Sequence, residues 1–248
     1  MKKKYSLSMM VASLLLSTHV SADTLADAFK AGSVSGTLKS MYRDFDVSGS
    51  SSDEHGFAVG GELSYVTGSF YGFGAGATFQ TSHALGHNQS ERDASVATSR
   101  SDLSEAYLSY TFDKTVIKIG RQYIDTPLLS TVTSRMYNDI LEGATITNTS
   151  LPDTILMAGV VTQYQYRFDD MENFDKNIYM LYALNKSIQG LELTAQGTTQ
   201  EDARSLLFLD AAYSLPISFP LTIGAQYVGD YADISGEKDS SMYGSHVH

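Results

Sequence analysis

Beyond about Ala31 the sequence is built from segments of about ten residues in which apolar and polar side chains take turns. In "FYGFGAGATFQ", Tyr71, Phe73, Ala75, Ala77 and Phe79 fall on one side of an extended chain. Gly72, Gly74, Gly76, Thr78 and Gln80 fall on the other. "FAVGGELSY" sets Phe57, Val59, Leu63 and Tyr65 against Glu62 and Ser64. "SEAYLSYTF" sets Ala106, Leu108, Tyr110 and Phe112 against Glu105, Tyr107, Ser109 and Thr111. "LELTAQGT" and "LTIGAQYVG" repeat the pattern through Leu191, Leu193 and Ala195, and through Leu221, Ile223, Ala225 and Tyr227. A period of two is that of a strand, because successive Cβ atoms point to opposite faces. The pattern predicts strands near 33–44, 56–66, 70–81, 103–112, 115–122, 143–149, 154–164, 177–184, 190–198, 204–214 and 220–229. The period is blurred in "ILMAGVVTQY" and "NIYMLYAL".

One apolar and one polar face per strand fits a soluble sandwich, with the apolar face inside, or a membrane barrel, with the apolar face toward lipid. The connections choose between them. "DVSGSSSDEH" is long and "VTGS" short; "TSHALGHNQSERDASVATSRS" is long and "DK" short; "RFDDMENFDK" is long and "NKSIQ" short. Short turns at one end and longer polar loops at the other are the pattern of an outer-membrane barrel. Tyr65, Phe70, Tyr71, Tyr110, Phe112 and Tyr213 lie near strand ends beside the short turns, where an interfacial aromatic girdle belongs. The fold class expected is therefore all-β, an antiparallel transmembrane barrel with about 11 strands present.

The amino-terminus agrees with export. "MKKKYSLSMMVASLLLSTHVSA" has a lysine cluster, a short apolar run and small residues at Ser21 and Ala22, the form of a secretory signal over residues 1–22. The chain has no cysteine, so disulfides play no part. Its net charge of −11 becomes more negative once Lys2, Lys3 and Lys4 are removed, which excludes sequence-independent nucleic-acid binding. No zinc spacing, phosphate loop or dinucleotide fingerprint is present, and no cofactor is expected. His83, His87, His246 and His248 have no paired metal-ligand spacing. His83 and His87 sit in a serine-rich link that offers no strand to hold a nucleophile, which argues against an enzyme. A soluble secreted β protein that binds glycans stands as the alternative.

The link from Gly120 to Gly143, "GRQYIDTPLLSTVTSRMYNDILEG", is too long for an idle connection. Asp125, Arg135, Asp139 and Glu142 within it fit two roles, lining a narrow aqueous zone or pairing to hold the loop to the wall. By strand alternation Lys39, Arg43, Glu62, Glu105, Lys118, Glu192 and Asp210 face the polar side. Strict alternation gives Arg121 the side of Ile117 and Ile119, where a charge at mid-membrane costs roughly 2–4 kcal/mol. A strand end near Gly120, or a bulge there, would turn it inward.

"LADAFKAGSVSGTLKSMYRDF" (Leu25 to Phe45), followed by "IKIGRQYIDTPLLSTVTSRMYNDILEG", resembles the OprD family of outer-membrane porins, epsilonproteobacterial members included. The likeness runs in order to about Arg167 and is softer beyond. It implies a barrel of about 18 strands, often assembled as a homotrimer in lipid and lipopolysaccharide, that passes small hydrophilic solutes. In that family a long external loop folds inward opposite a ladder of basic side chains. Here that loop is 121–142, the third long connection, and the likeness favours an inward Arg121. Too few strands are legible for the family barrel, and "GEKDSSMYGSHVH" reads as a polar tail. Residues 23–248 are accordingly expected to be the N-terminal portion of such a barrel.

Overall fold

The computed structural model describes residues 23–45, 54–85, 98–131, 135–232 and 238–247. The signal expected at 1–22 lies outside them, as do His87 and His248. A short helix, α1 (Leu25–Lys30), precedes β1 (Ser33–Phe45), β2 (Glu54–Val66), β3 (Phe73–Ala84), β4 (Arg100–Phe112) and β5 (Thr115–Gln122). Two short strands follow, β6 (Asp125–Thr126) and β7 (Leu129–Ser130). Then come β8 (Ile140–Asn148), β9 (Thr154–Gln165), β10 (Glu172–Asn185), β11 (Leu191–Gln200), β12 (Arg204–Ser214), β13 (Thr222–Ala232) and β14 (Ser240–Val247). All but β6 and β7 join one 12-stranded meander in which each strand pairs antiparallel with its neighbours in the chain. The strands β1 and β14 are its two edges, so the sheet is open.

The sequence predicts about 11 strands; the sheet has 12. The additional one, β14, comes from the segment that reads as a polar tail. Its main chain pairs with β13 from Ile223↔Val247 to Asp230↔Ser240. Backbone pairing needs no apolar run, so an edge strand with Ser240, Ser241 and Ser245 leaves little pattern to find. The third strand starts later than expected because Tyr71 (φ 51°) and Gly72 (φ 87°) form the turn before it.

The register separates two faces, and their burial is the reverse of a soluble protein's. Leu38 is 96% exposed, and Leu63, Phe79, Leu108, Ile119 and Leu181 are exposed on the same face. On the other face Thr78, Gln80, Ser82, Gln196 and Thr198 are buried. A soluble sandwich would cover its apolar face; here only the polar face is covered, which overturns the soluble alternative and makes the apolar face the lipid-facing one.

The inner face is not polar throughout. Met157, Val161 and Met180 point inward from β9 and β10, with Val161 and Met180 buried. Those two strands are apolar on both sides, which is why their period is blurred in sequence. Three register shifts adjust the wall; one lies in β10, between Asn173 (opposite Gln163) and Ile178 (opposite Val161), and the other two are single-residue bulges. In β4 the pairs Thr78↔Glu105 and Phe79↔Leu103 leave Ser104 extra; in β9 the pairs Glu142↔Gln163 and Gly143↔Val161 leave Thr162 extra. Each bulged hydroxyl donates to the opposite carbonyl, Ser104 to Thr78 O at 3.2 Å and Thr162 to Glu142 O at 3.1 Å. Gly120 has φ +119°, and a Cβ there would overlap the Ala106 carbonyl, so this position requires glycine.

Candidate functional site

The polar face is covered by the chain between β5 and β8. It leaves Gln122, runs through a small hairpin of β6 and β7, and returns along Arg135 to Asp139. Pro127 and Leu128 form the hairpin tip, proline supplying the fixed φ a tight turn needs. Thr126 Oγ1 donates to Leu129 O at 2.7 Å and Ser130 Oγ to Asp125 Oδ1 at 2.9 Å, so the hairpin is internally satisfied. Ile124 and Leu129 pack against Met157, Val161, Met180 and Tyr182 of the wall. The apolar middle of the loop thus meets the apolar part of the inner face.

The return arm is held by polar contacts, and Asn138 is their centre. Its N–H donates to Gln80 Oε1 at 2.9 Å, and Gln80 Nε2 donates to its carbonyl at 3.3 Å. Its side-chain Nδ2 donates to Glu62 Oε1 at 2.8 Å and to the Tyr123 hydroxyl at 2.7 Å. Lys39 Nζ donates to Asn138 Oδ1 at 2.9 Å and to Arg135 O at 3.1 Å, and forms an ion pair with Glu62. At the hairpin, Gln196 plays the same part as Gln80. Its Oε1 accepts from Leu128 N at 2.9 Å, and its Nε2 donates to Thr126 Oγ1 at 2.9 Å.

A second network ties the return arm to the β9–β10 connection. Asp102 Oδ2 accepts from Tyr137 Oη at 2.6 Å, Gln165 Nε2 at 3.2 Å and Arg100 Nε at 2.5 Å. Arg100 also donates to Phe168 O at 2.7 Å and pairs with Asp170 at 3.2 Å, while Tyr137 stacks on Phe168. Asp139 Oδ1 accepts the Arg167 N–H at 3.0 Å. Burial pushes the Tyr123 and Tyr137 phenols above their usual range, and the Asp102 carboxylate raises Tyr137 further. Both phenols therefore stay neutral at ordinary pH, Tyr137 donating to Asp102 and Tyr123 accepting from Asn138.

The sequence candidates divide by this geometry. Lys39, Arg43, Glu62, Glu105, Lys118 and Asp210 alternate onto the inner face. Lys39 and Glu62 are spent on the loop. Glu105 likewise accepts from Thr78 Oγ1 at 2.7 Å and from Tyr123 N at 3.3 Å. Lys118 Nζ lies 4.4 Å from the centre of the Tyr107 ring. Asp139 is buried in the return arm of the loop, whereas Asp125 stands exposed on the hairpin. Glu192 is paired with Lys186 at 2.6 Å. Arg121 is the departure. The β4–β5 register reaches it unbroken, opposite Ala106, the β5–β8 register runs through it, opposite Glu142, and both keep it on the face of Ile117 and Ile119. It pairs there with Glu142 at 3.1 Å and donates to Leu103 O at 3.3 Å. Neither the strand end nor the bulge that would turn it inward is found at this position; its charge is met by a carboxylate instead.

Gln80, Gln196 and Asn138 are the holding residues, none of them charged. The available signal is glutamine at the inward phase of a strand, a carboxamide that can both donate to and accept from a crossing main chain.

A curved meander with lipid-facing apolar side chains, a polar interior and a long connection laid across that interior defines the wall of a membrane β-barrel channel. The chain belongs to the OprD family, whose members are outer-membrane porins; that family's sequence pattern matches residues 32–216, which places the protein in the bacterial outer membrane. Among curated proteins the sequence has no match. Solved structures of similar fold include OccAB2 of Acinetobacter baumannii, at 17% identity and TM-score 0.75, covering 89% of this chain and 63% of that one. OccD3 (OpdP) of Pseudomonas aeruginosa has 18% identity and TM-score 0.71, covering 89% and 54%. OccK2 (OpdF) of the same organism, solved in complex with glucuronate, has 15% identity and TM-score 0.66, covering 87% and 61%. The chain therefore spans between half and two thirds of the length of these three structures.

Proposed function

We propose that this chain forms part of the wall of an outer-membrane channel that passes small hydrophilic solutes by passive diffusion, with the β5–β8 connection as its constriction. The observation that carries this is the loop held across the polar face by Gln80, Gln196 and the Lys39–Glu62 pair. A loop fixed there narrows an aqueous path without closing it. Lys118 and Arg43 are the wall cations, and Asp125 is the acid on the exposed hairpin. Asp139 takes the holding role through its carboxylate, and Arg135 contributes its main-chain carbonyl to the Lys39 contact. A carboxylate solute suits cations on the wall, and the glucuronate bound by OccK2 is of that chemistry.

The same reading takes the chain as the N-terminal portion of a longer, epsilonproteobacterial-type porin. The open edges β1 and β14 support it, because unpaired strand edges in lipid cost several kcal/mol per group. The outer face would meet lipid and lipopolysaccharide, and a homotrimer is the assembly expected. Liposome swelling with sugars, amino acids and carboxylates tests the function, and crosslinking in membranes tests the assembly. Proteoliposomes that remain impermeable to every solute would overturn the channel reading.

A further inference from the structure

The helix α1 has no part in the channel wall, yet it is firmly seated. Thr24 caps it, its hydroxyl accepting the Asp27 N–H at 3.1 Å, and Ala28 is buried. The Ala28 carbonyl accepts the Gly68 N–H at 2.9 Å from the β2–β3 turn. The Tyr65 hydroxyl donates to Phe29 O, and the two rings stack with planes 8° apart. A Cβ at Gly68 would approach Ala31 Cβ at 2.9 Å, so the turn and the helix end are in close contact.

Seated in this way, the helix leaves two large apolar side chains in the open. Leu25 is 58% exposed and Phe29 53%. Tyr65, the neighbour of Phe29, lies on the lipid-facing side of β2, since it pairs with Val34 and Ala77 in register with the exposed Leu63. At the same end of the sheet, beside the short turns, Tyr71, Phe73, Phe112, Leu151, Ile188 and Phe219 are also exposed. The apolar side of α1 therefore continues the lipid-facing belt past the end of the strands. Lys30, paired with Asp27 at 3.7 Å and largely exposed, lies at the last turn, where an ammonium can reach a phosphate headgroup.

We infer that α1 is an interfacial anchor, lying in the headgroup–acyl boundary of the phospholipid leaflet at the short-turn end, with Leu25 and Phe29 in the acyl region. The occupant is phospholipid because the helix is continuous with a surface that already faces lipid. A segment held on the aqueous side would have no reason to leave Leu25 exposed and to stack an exposed Phe29 on Tyr65. The anchor also fixes the chain entering β1, an edge of the sheet. This inference rests on the barrel reading, and its test keeps the two apart.

The chain contains no tryptophan, so one introduced residue reports alone. The variants F29W and L25W, with L108W as a mid-wall reference, are reconstituted into phosphatidylglycerol–phosphatidylethanolamine vesicles. Lipids brominated at shallow and deep acyl positions are the quenchers, with acrylamide in the water phase. The anchor predicts that the α1 tryptophans emit at shorter wavelength in vesicles and are quenched more by shallow than by deep bromines. L108W should show the opposite order. Emission in vesicles like that of free tryptophan, with quenching by acrylamide alone, in both F29W and L25W while L108W responds to bromolipid, would overturn the anchor and leave the barrel standing. Loss of bromolipid quenching in L108W as well would overturn the barrel reading on which the anchor rests. Two α1 positions keep the test informative if either substitution blocks folding.

Discussion

Gln80 grips the main chain of Asn138 with both ends of its carboxamide, accepting from the N–H at 2.9 Å and donating to the carbonyl at 3.3 Å. The geometry is that of one step in a β-ladder, made by a side chain. It lets the wall bind a crossing segment without regard to that segment's own side chain. Gln196 makes a similar double contact with Leu128 and Thr126.

Replacing Gln80 with leucine orphans both main-chain groups of Asn138, which are buried. Each group left without a partner costs about 1–3 kcal/mol, less where water enters. We expect Gln80→Leu to lower the thermal midpoint of the detergent-folded protein and to raise open-channel current noise in planar bilayers. Unaltered noise would show that this contact does not hold the loop.

The Lys39–Glu62 pair leads to a different pattern. The side chains are 17% and 16% exposed, so most of their hydration is lost. Lys39→Met strands Glu62 and releases Arg135 O and Asn138 Oδ1, costing up to about 3 kcal/mol. The double variant Lys39→Met/Glu62→Leu should be less destabilised than Lys39→Met alone, because no buried charge is left. Urea unfolding of the three variants measures the order.

Lys118 and Arg121 are close in sequence but on opposite faces. Lys118→Glu should raise cation preference, read as a shift in reversal potential across a salt gradient. Arg121→Ala should leave the reversal potential unchanged and cost about 0.2–1 kcal/mol through loss of the pair with Glu142. A selectivity change in Arg121→Ala would mean that its side chain reaches the pore despite the register.

The assignment of the two faces can be tested with one charge. Leu108 is 68% exposed on the outer face, while its neighbour Ser109 points inward. Leu108→Arg should cost about 2–4 kcal/mol in lipid, and Ser109→Arg should be tolerated. Heat-modifiable migration after folding into vesicles separates the two. Equal tolerance would count against lipid on the Leu108 side.

Strand positions, the alternation of faces and the long third connection were legible in the sequence, because they depend on local periodicity and loop length. "SEAYLSYTF" could only be a two-faced strand, and Lys118 could be given its face by counting. Where both faces are apolar, as in β9 and β10, counting lost its contrast, and in β14 Met242, Tyr243 and Val247 among serines are too sparse to mark a strand. Alternation by itself was also silent on which face is covered. That depended on where residues 123–131 and 135–139 lie, a matter of contacts between segments far apart in the chain.

The sequence by itself determined that the chain forms antiparallel two-faced strands joined by alternately short and long connections, since each of these is a property of neighbouring residues. The rhythm of those connections already pointed to an apolar face turned to lipid; tertiary structure alone decided how the polar face is covered. It alone also gave the loop to glutamines and Asn138, and set Arg121 opposite Glu142 on the outer side. The physical reason is that a hydrogen bond or ion pair between distant segments leaves no period in the sequence, and exists only once the register has brought its two halves together.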